Sequence, residues 1–283
     1  MSVAGRLVDL IEWFLPRTMR WRLGRALYIR ARGEHSNTEV QGEERFLQTW
    51  ALAHLGVGEQ FVAIDAGANV GSWAEPFLVS SQTRGRAVSL HAFEPAPASR
   101  QLLERRLERF SRSSIIFPQA LGQQAGTAKL FLDGPTAGTN SLHASGTAAS
   151  QPFVQVETTT LDSHLKRSQL PRVHLLKIDT EGNDFDVLAG AADSLALGLF
   201  DLVQFEYNYR WVFGRHFLRD VFELVGSRGY LVGRCFRSRL EFFSGWDPEL
   251  ERFFECNLII MKKELVREHG FHVGKFNQDH VFY

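Results

Sequence analysis

A glycine-rich turn directly after an apolar run has the residue types of a ligand-binding loop. The turn reads Asp65-Ala-Gly67-Ala-Asn69-Val-Gly71 and follows a predicted strand, Phe61–Asp65. Small residues let the backbone approach a ligand closely, and the amides that open the following helix point toward it. The dinucleotide pattern G-x-G-x-x-G is absent, because Asp65 stands where its first glycine would be. A carboxylate there would repel a pyrophosphate, so the turn favours a ligand with a cationic amine.

An acidic residue ends the next predicted strand and could bind a sugar. Phe93-Glu94-Pro95 follows the strand Ala87–Phe93. A carboxylate at this strand tip can accept hydrogen bonds from both ribose hydroxyls. A ribose contact and a cationic amine together favour an amino-acid-bearing nucleoside such as S-adenosylmethionine (SAM). An NAD-type Rossmann oxidoreductase is the alternative, and the absent glycine pattern argues against it.

Carboxylate side chains also follow the ends of two later predicted strands. Lys177, Asp179 and Glu181 share one side of the strand Val173–Ile178, because side chains alternate along a strand. Charged groups on a buried strand are costly unless they are paired or functional. Glu206 follows the next strand, so we expect Asp179, Glu181 and Glu206 to rim one crevice, with Lys177 as an ion-pair partner. A purely structural ion network is the alternative. Three acids could also hold Mg²⁺, but no spacing demands it, and we predict no metal.

Strand and helix patterns that alternate from residue 61 onward predict the sheet that positions these side chains. Apolar strands separated by helices indicate an α/β fold with a parallel sheet covered on both faces. The predicted strands are Phe61–Asp65, Ala87–Phe93, Ile115–Phe117, Val173–Ile178, Leu199–Phe205, Tyr230–Phe236 and Asn257–Met261. The predicted helices are Glu39–Leu55, Gly71–Ser80, Ala96–Phe110, Phe185–Leu195 and His216–Ser227.

An insertion separates the third and fourth predicted strands. Lys129–Leu132 and Phe153–Thr159 have the pattern of an antiparallel hairpin. The intervening segment, Asp133–Ser150, is rich in Gly, Ala, Ser and Thr, and loops of this length are usually lids or binding loops. We expect a mobile lid, in which His143 is a further candidate for substrate contact or for the base.

Composition narrows the class of protein. The chain has 283 residues, with 32 Lys plus Arg against 32 Asp plus Glu, so its formal net charge is zero. A general nucleic-acid binder would be expected to carry a basic excess, and we predict no nucleic-acid partner. Two cysteines, Cys235 and Cys256, are too few for a disulfide framework. We therefore predict a cytoplasmic protein with reduced thiols; a disulfide between the two is the alternative.

Taken in order, the motifs resemble those of FkbM-type SAM-dependent methyltransferases. The matching stretches are Asp65–Gly71, Phe93–Pro95, Gln119–Gly122, Thr160–Asp162, Leu176–Gly182 and Val187–Ala191. The sequence differs from the family's usual motif at Asp184, where family members usually have a glutamate. The resemblance implies a Rossmann-like class I methyltransferase sheet, mostly parallel with the last strand antiparallel. It also implies SAM as cofactor and O-methylation of a hydroxyl on a sugar, a glycan precursor or a secondary metabolite.

The resemblance also implies roles for individual residues. Gly67, Asn69 and Gly71 line the methionine part of SAM with Asp65 nearest its amine, Glu94 binds the ribose, Ala120 and Leu121 lie near adenine, and Asp179 lies beside the sulfonium methyl. A methyltransferase-like module that binds without catalysis is a further alternative.

Methyl transfer from a sulfonium is an in-line displacement, so the enzyme must align a hydroxyl oxygen with the S–CH₃ bond. A base assists this weak nucleophile. Asp179 is the first candidate for the base, and Glu181 and Glu206 are the next. We expect carboxylates crowded in a dry crevice to have raised pKa values.

Four aromatic residues follow the fifth predicted strand. Tyr207, Tyr209, Trp211 and Phe213 would lie on one side of an extended chain and could stack against a flat acceptor. With 23 phenylalanines in the chain, we expect ordinary core packing, and the stacking wall is the alternative. His174, inside the fourth predicted strand, is expected to be a hydrogen-bonded core histidine.

The first 38 residues differ from the rest. Seven arginines stand before residue 34 against two acids, and apolar residues recur at helical spacing, with a second helical pattern over Met19–Ile29. We predict a basic helical extension over 1–38, the methyltransferase domain over 39–263 and a tail over 264–283. The extension is expected to pack on the domain or on a partner subunit of a homo-oligomer. Its alternative is contact with an anionic membrane or a phosphorylated carrier.

Overall fold

Apolar strands and helices alternate along this chain to build one large sheet and two small ones. The computed structural model describes residues 13–32, 37–144 and 151–281. The strands, in chain order, are β1 (Phe61–Ala66), β2 (Val88–Phe93), β3 (Ser114–Phe117), β4 (Ala120–Leu121), β5 (Gly126–Phe131), β6 (Phe153–Thr159), β7 (Val173–Ile178), β8 (Phe200–Tyr207), β9 (Tyr230–Cys235), β10 (Leu240–Phe243), β11 (Cys256–Lys262), β12 (His272–Gly274), β13 (Phe276–Asn277) and β14 (His280–Val281).

Within the described ranges, the large sheet has nine strands in the order β12-β10-β9-β11-β8-β7-β1-β2-β3. Strands β3, β2, β1, β7 and β8 run parallel, and β11 lies antiparallel between β8 and β9. The predicted Rossmann-like sheet with an antiparallel last strand is therefore confirmed. Its register sets Asp65 beside Lys177 and Lys177 beside Gln204, so polar residues of three strands meet near one edge.

Helices cover both faces of this sheet. They are α1 (Arg17–Arg32), α2 (Asn37–His54), α3 (Ala74–Thr83), α4 (Pro97–Leu107), α5 (Leu161–Arg167), α6 (Asp184–Ala189), α7 (Ala192–Ala196), α8 (Trp211–Gly214), α9 (Leu218–Gly226) and α10 (Lys263–Glu268). In β1, Phe61 and Ala63 pack with α2, α3 and α4, whereas Val62 and Ile64 pack with the helices α5 to α9. Burial on both faces explains why the parallel strands are almost uniformly apolar.

Several boundaries differ from the sequence-based predictions. The predicted helix Phe185–Leu195 is two short helices, because the chain turns at Gly190 and Ala191 between α6 and α7. Strand β10 was not predicted. The segment after residue 263 is also not separate from the sheet, because β12 pairs in parallel with β10. These pairings are non-local, and short strands of this kind have weak sequence signals.

The predicted hairpin is confirmed. Strands β5 and β6 pair antiparallel, with Lys129 opposite Gln155, and β4 adds to β6 in parallel. Of the loop that joins β5 to β6, residues 133–144 are described, and Ser141 bridges back to Phe131. The last part of the proposed lid, residues 145–150, lies outside the described residues.

The expected core histidine is also found. His174 is buried, and its Nδ1 accepts a hydrogen bond of 2.9 Å from the backbone N–H of Val62. Both cysteines have free thiols. None of the helices in the described ranges is long and apolar enough to cross a bilayer.

Gly71, predicted to bind cofactor, has a packing role. Its φ is +85°, and an added Cβ would lie 2.9 Å from Cδ1 of Leu103 on α4. We expect Gly71→Ala to lower the free energy of unfolding by about 1–3 kcal/mol, since both strain and overpacking are introduced. Thermal or urea unfolding measures this.

Gly226→Ala is the matched control, because a Cβ at this last residue of α9 meets no atom within 4 Å. It should leave stability unchanged or raise it slightly. Equal stability of Gly71→Ala and wild type would contradict the packing role.

Candidate active site

A cleft of about 540 Å³ lies at the carboxyl ends of β1, β2 and β7. Most of the residues predicted to bind cofactor or to act in catalysis line it, namely Gly67, Asn69, Glu94, Ala120, Leu121, Asp179 and Glu181. The structure thus brings together seven positions from four motifs that lie far apart in the sequence. Asp65, Gly71 and Glu206 are not among the lining residues.

Gly67 lets two strand ends approach each other. Its φ is +82°, and an added Cβ would lie only 1.9 Å from the carbonyl oxygen of Asp179. Any side chain there would push β1 away from β7 or close the cleft floor. Asn69, two residues on, has a left-handed φ of 47°, a conformation that asparagine tolerates better than most residues. The turn is therefore shaped by close backbone approach, as its small residues predict.

Hydrogen bonds to the backbone hold the Glu94 carboxylate against this turn. Its Oε2 accepts a hydrogen bond from the Asn69 N–H and its Oε1 from the Ala96 N–H, both at 2.7 Å. Burial raises the pKa of Glu94 to about 7, although the two backbone donors oppose the rise. A carboxylate oxygen can accept more than one hydrogen bond, so Glu94 still has acceptor capacity for hydroxyl donors in the cleft.

A buried lysine joins two of the predicted acids. The Nζ of Lys177 lies 3.3 Å from Oδ1 of Asp65 and 3.2 Å from Oδ2 of Asp179. Burial by itself would lower the pKa of Lys177. The charges of Asp179 and Asp65 raise it by more, so the pKa lies above its usual value and the ammonium stays charged. The predicted ion pair is confirmed. Asp65 itself is fully buried, so it contacts this ammonium and does not reach a ligand's amine.

Asp179, Glu181 and Glu206 come together as predicted. One carboxylate oxygen of each lies within 4.8 Å of the others, a spacing that would also suit a divalent cation. Arg210 Nε lies 3.1 Å from Oε2 of Glu181, and Asn208 Nδ2 donates to Oε2 of Glu206 at 2.6 Å. Burial first, then the charge of Asp179, raises the pKa of Glu181 to about 8 and that of Glu206 well above its usual value.

Asp184, where the sequence departs from the family, has a structural role that sequence reasoning missed. It is fully buried, and its oxygens accept hydrogen bonds from the N–H groups of Thr180 at 3.3 Å and Gly182 at 3.1 Å. It therefore fixes the loop that carries Glu181, whose φ is 56°. Burial, followed by the charge of Asp179, raises the pKa of Asp184 to about 7.

Helix α2 contributes a second residue that sequence reasoning missed. Glu44 lines a neighbouring pocket of about 860 Å³ that shares Gly67, Asn69 and Asp179 with the cleft. Burial raises the pKa of Glu44, and the charge of Lys177 opposes this rise. The amphipathic pattern of α2 predicts a helix, but it does not show which part of the sheet the helix covers.

The loop after β5 forms one wall of the cleft. Ala137, Asn140 and Leu142 line it, and the hydroxyl of Ser141 donates to the Glu181 carbonyl oxygen at 2.7 Å. His143 is not beside the acids, because its Nε2 lies 3.5 Å from Oδ2 of Asp186. The candidate base in the lid is thus engaged elsewhere in this structure.

The four aromatic residues after β8 do not form a wall, and core packing, the favoured interpretation, holds for two of them. The chain does not stay extended after Tyr207, because Asn208 Oδ1 accepts a hydrogen bond from the Arg210 N–H at 2.8 Å and α8 follows. Tyr207 and Trp211 are consequently buried in the core, whereas Tyr209 and Phe213 are exposed.

A Rossmann-like sheet with a cleft at its carboxyl edge is the arrangement of class I methyltransferases. The model of the methyltransferase FkbM domain matches residues 65–232, which is more than half of the chain. The chain therefore belongs to the FkbM methyltransferase family, as the motifs indicate. The matched range holds all the predicted site residues, from Asp65 to Glu206.

One curated relative and two solved structures show how far the similarity extends. Methyltransferase 1 of Beauveria bassiana (strain ARSEF 2860) is 29% identical over 148 residues, covering 46% of this chain and 58% of the relative. The methyltransferase FkbM structure from Methylobacillus flagellatus KT is 14% identical, with a TM-score of 0.45, over 75% of this chain and 47% of that one. An rRNA methylase from Streptococcus thermophilus is 9% identical, with a TM-score of 0.38, over 76% and 94%. At these TM-scores the two structures carry no argument about function.

The raised carboxyl pKa values make stability depend on pH in an unusual direction. Glu94, Glu181 and Asp184 hold protons in the folded state at pH values where the unfolded chain has released them. Their contribution to stability is therefore complete below about pH 4 and is lost as pH rises through 7 to 8. Glu181→Gln resembles the protonated form and should be about 2 kcal/mol more stable than wild type at pH 8.5, with little difference at pH 5.

Urea unfolding at both pH values measures this difference. Glu104→Gln, on the exposed face of α4, should shift stability equally at the two pH values. Parallel pH profiles for wild type and Glu181→Gln would contradict the raised pKa.

Proposed function

We propose that this protein is a SAM-dependent O-methyltransferase that acts on a hydroxyl of a sugar, a glycan precursor or a secondary metabolite. The observation that supports the proposal is a single cleft lined by the glycine turn at Gly67, by Glu94 at the position expected to bind a ribose, and by the carboxylates of Asp179 and Glu181. A rim of carboxylates favours a sulfonium and disfavours the diphosphate of NAD.

The residues present fit SAM. Without a Cβ, Gly67 leaves room along the turn, and Glu94 offers acceptors for ribose hydroxyls. Ala120 and Leu121 give the adjoining wall an apolar surface for a base, and Asn183 ties that wall to α6 through a 2.9 Å hydrogen bond to the Leu121 carbonyl. When bound, SAM would supply a methyl group on a positively charged sulfur.

Among the three acids, Glu181 is best suited to receive the hydroxyl proton. It lines the cleft, which Glu206 does not, and its pKa of about 8 lies near the range in which a base works at neutral pH. Asp179 also lines the cleft. A cation engages one oxygen of each residue, Lys177 on Asp179 and Arg210 on Glu181, so the choice between them rests on the raised pKa of Glu181. We assign Asp179 to orienting the hydroxyl and Glu181 to accepting its proton at a carboxylate oxygen.

SAM binding tests the cofactor assignment. Isothermal titration with SAM, with its demethylated product and with NAD should show binding of the first two only. Glu94→Gln should weaken SAM binding about 10–100-fold, since a hydrogen bond to a charged group contributes about 1.5–3 kcal/mol. Glu104→Gln is the charge-matched control and should bind like wild type, and unfolding curves verify that both variants fold. Tighter binding of NAD than of SAM would instead support the oxidoreductase.

Methyl incorporation tests the catalytic assignment. With methyl-labelled SAM and a metabolite extract of the source organism as the acceptor pool, the rate should rise with pH with a midpoint near 8, because ionised Glu181 is the active form. Glu181→Gln should lose about 10²–10⁴-fold in rate and with it the pH dependence. Asp179→Asn should slow the reaction but keep the rise.

Two other outcomes of this assay would overturn parts of the proposal. SAM binding without transfer to any component of the extract would favour the non-catalytic module. A pH profile that disappears only in Asp179→Asn would move the base to Asp179.

A cytoplasmic location is also part of the proposal. It is supported by the lack of a disulfide between Cys235 and Cys256, because disulfides are rare in reducing compartments.

A further inference from the structure

Helix α1 exposes large apolar side chains to solvent along most of its length. Trp21 is 71% exposed and Leu27 is 58% exposed, and Trp13, just before the helix, is 82% exposed. Met19, Leu23 and Leu27 recur every four residues, so they share one face of the helix. An apolar face of this kind in water indicates a binding surface more often than a free one.

The same helix is strongly basic. Its sequence, RTMRWRLGRALYIRAR, has six arginines and no acidic residue. Because the whole chain is neutral, the residues outside α1 carry a balancing negative charge of six. Arg17, Arg22 and Arg30 are exposed. Exposed apolar and cationic side chains therefore occur together on α1.

Contacts with the domain hold the C-terminal half of α1. Arg32 donates to the Glu249 carbonyl oxygen at 2.6 Å, and the Tyr28 hydroxyl donates to Oε2 of Glu249 at 3.2 Å. Arg25 stacks over the Phe254 ring at 5.7 Å. In the N-terminal half, Trp21 is exposed.

We infer that α1 binds the surface of an anionic membrane, with its apolar side chains at the boundary of headgroups and acyl chains and its arginines on lipid phosphates. Basic helices with Trp and Leu side chains bind in this way, and each Arg near an anionic surface adds about 1 kcal/mol. Contact between the α1 helices of two copies is a poorer arrangement, because it would bring together twelve arginines without an acid. A soluble polyanion would match the charge but leave Trp21 and Leu23 in water.

Vesicle co-sedimentation tests the inference with the full chain. Wild type should bind phosphatidylcholine vesicles that contain phosphatidylglycerol at least tenfold more tightly than vesicles of phosphatidylcholine alone, and high salt should weaken this binding. The double variant Arg17→Glu/Arg22→Glu should lose at least tenfold in affinity. The control Arg105→Glu/Arg112→Glu changes the same charge at exposed positions on and after α4 and should stay within about twofold of wild type.

The apolar contribution needs its own variant. Trp21→Ser/Leu23→Ser should also weaken vesicle binding at least tenfold, whereas Leu197→Ser, at a 74% exposed position after α7, should not. Circular dichroism and unfolding curves establish that each variant folds, and SAM binding should be unchanged in all of them.

Three results would overturn the inference. One is equal binding of wild type and Arg17→Glu/Arg22→Glu to anionic vesicles. Another is a dimer in solution that dissociates in Trp21→Ser/Leu23→Ser, which would show that a second copy covers α1. The third is binding to a DNA duplex as tight as to anionic vesicles and insensitive to the Trp21 and Leu23 substitutions.

Discussion

The charge balance around Lys177 is the constraint on which the site depends. Its ammonium lies between the carboxylates of Asp65 and Asp179, in a sheet interior where an unpaired charge is strongly destabilising. The parallel register of β1 and β7 sets Asp65 directly beside Lys177, so the pair forms when the two strands pair. The sheet can therefore place carboxylates at its edge only because one buried cation accompanies them.

One lysine and one arginine do not neutralise all the acids at this edge. This edge also holds Glu94, Asp184 and Glu206, and burial raises the pKa of each. In the protein without a ligand, protons bound to these carboxyl groups therefore neutralise part of the negative charge. A sulfonium in the cleft would supply positive charge in their place, so cofactor binding and proton release are expected to be linked.

Short sequence patterns predicted the parts of the site that are formed by neighbouring residues in the chain. The glycine turn, the strand-tip acids and the hairpin all follow from short patterns, and the structure has them where the patterns lie. Residues whose roles depend on distant partners could not be predicted in this way. Asp65 was expected to face a ligand, but its orientation is decided by Lys177, and Glu44 reaches the site only because α2 lies over the sheet edge.

The aromatic residues after β8 show the same limit at short range. The side chains alternate between the two faces of β8 as far as Tyr207. The chain then turns at Asn208, whose Oδ1 accepts a hydrogen bond from the Arg210 N–H, and α8 follows. Tyr207 and Asn257 line a separate cavity of about 590 Å³, and Asn257 lies opposite Glu206 in the register of β8 and β11.

Arg32, the last residue of α1, lines that cavity as well. The basic helix α1 therefore ends at a cavity that β8 and β11 also line. Because Arg32 is anchored on Glu249, the end of α1 cannot move far from this cavity without breaking that contact. A surface that binds α1, as inferred above, would therefore lie beside this cavity.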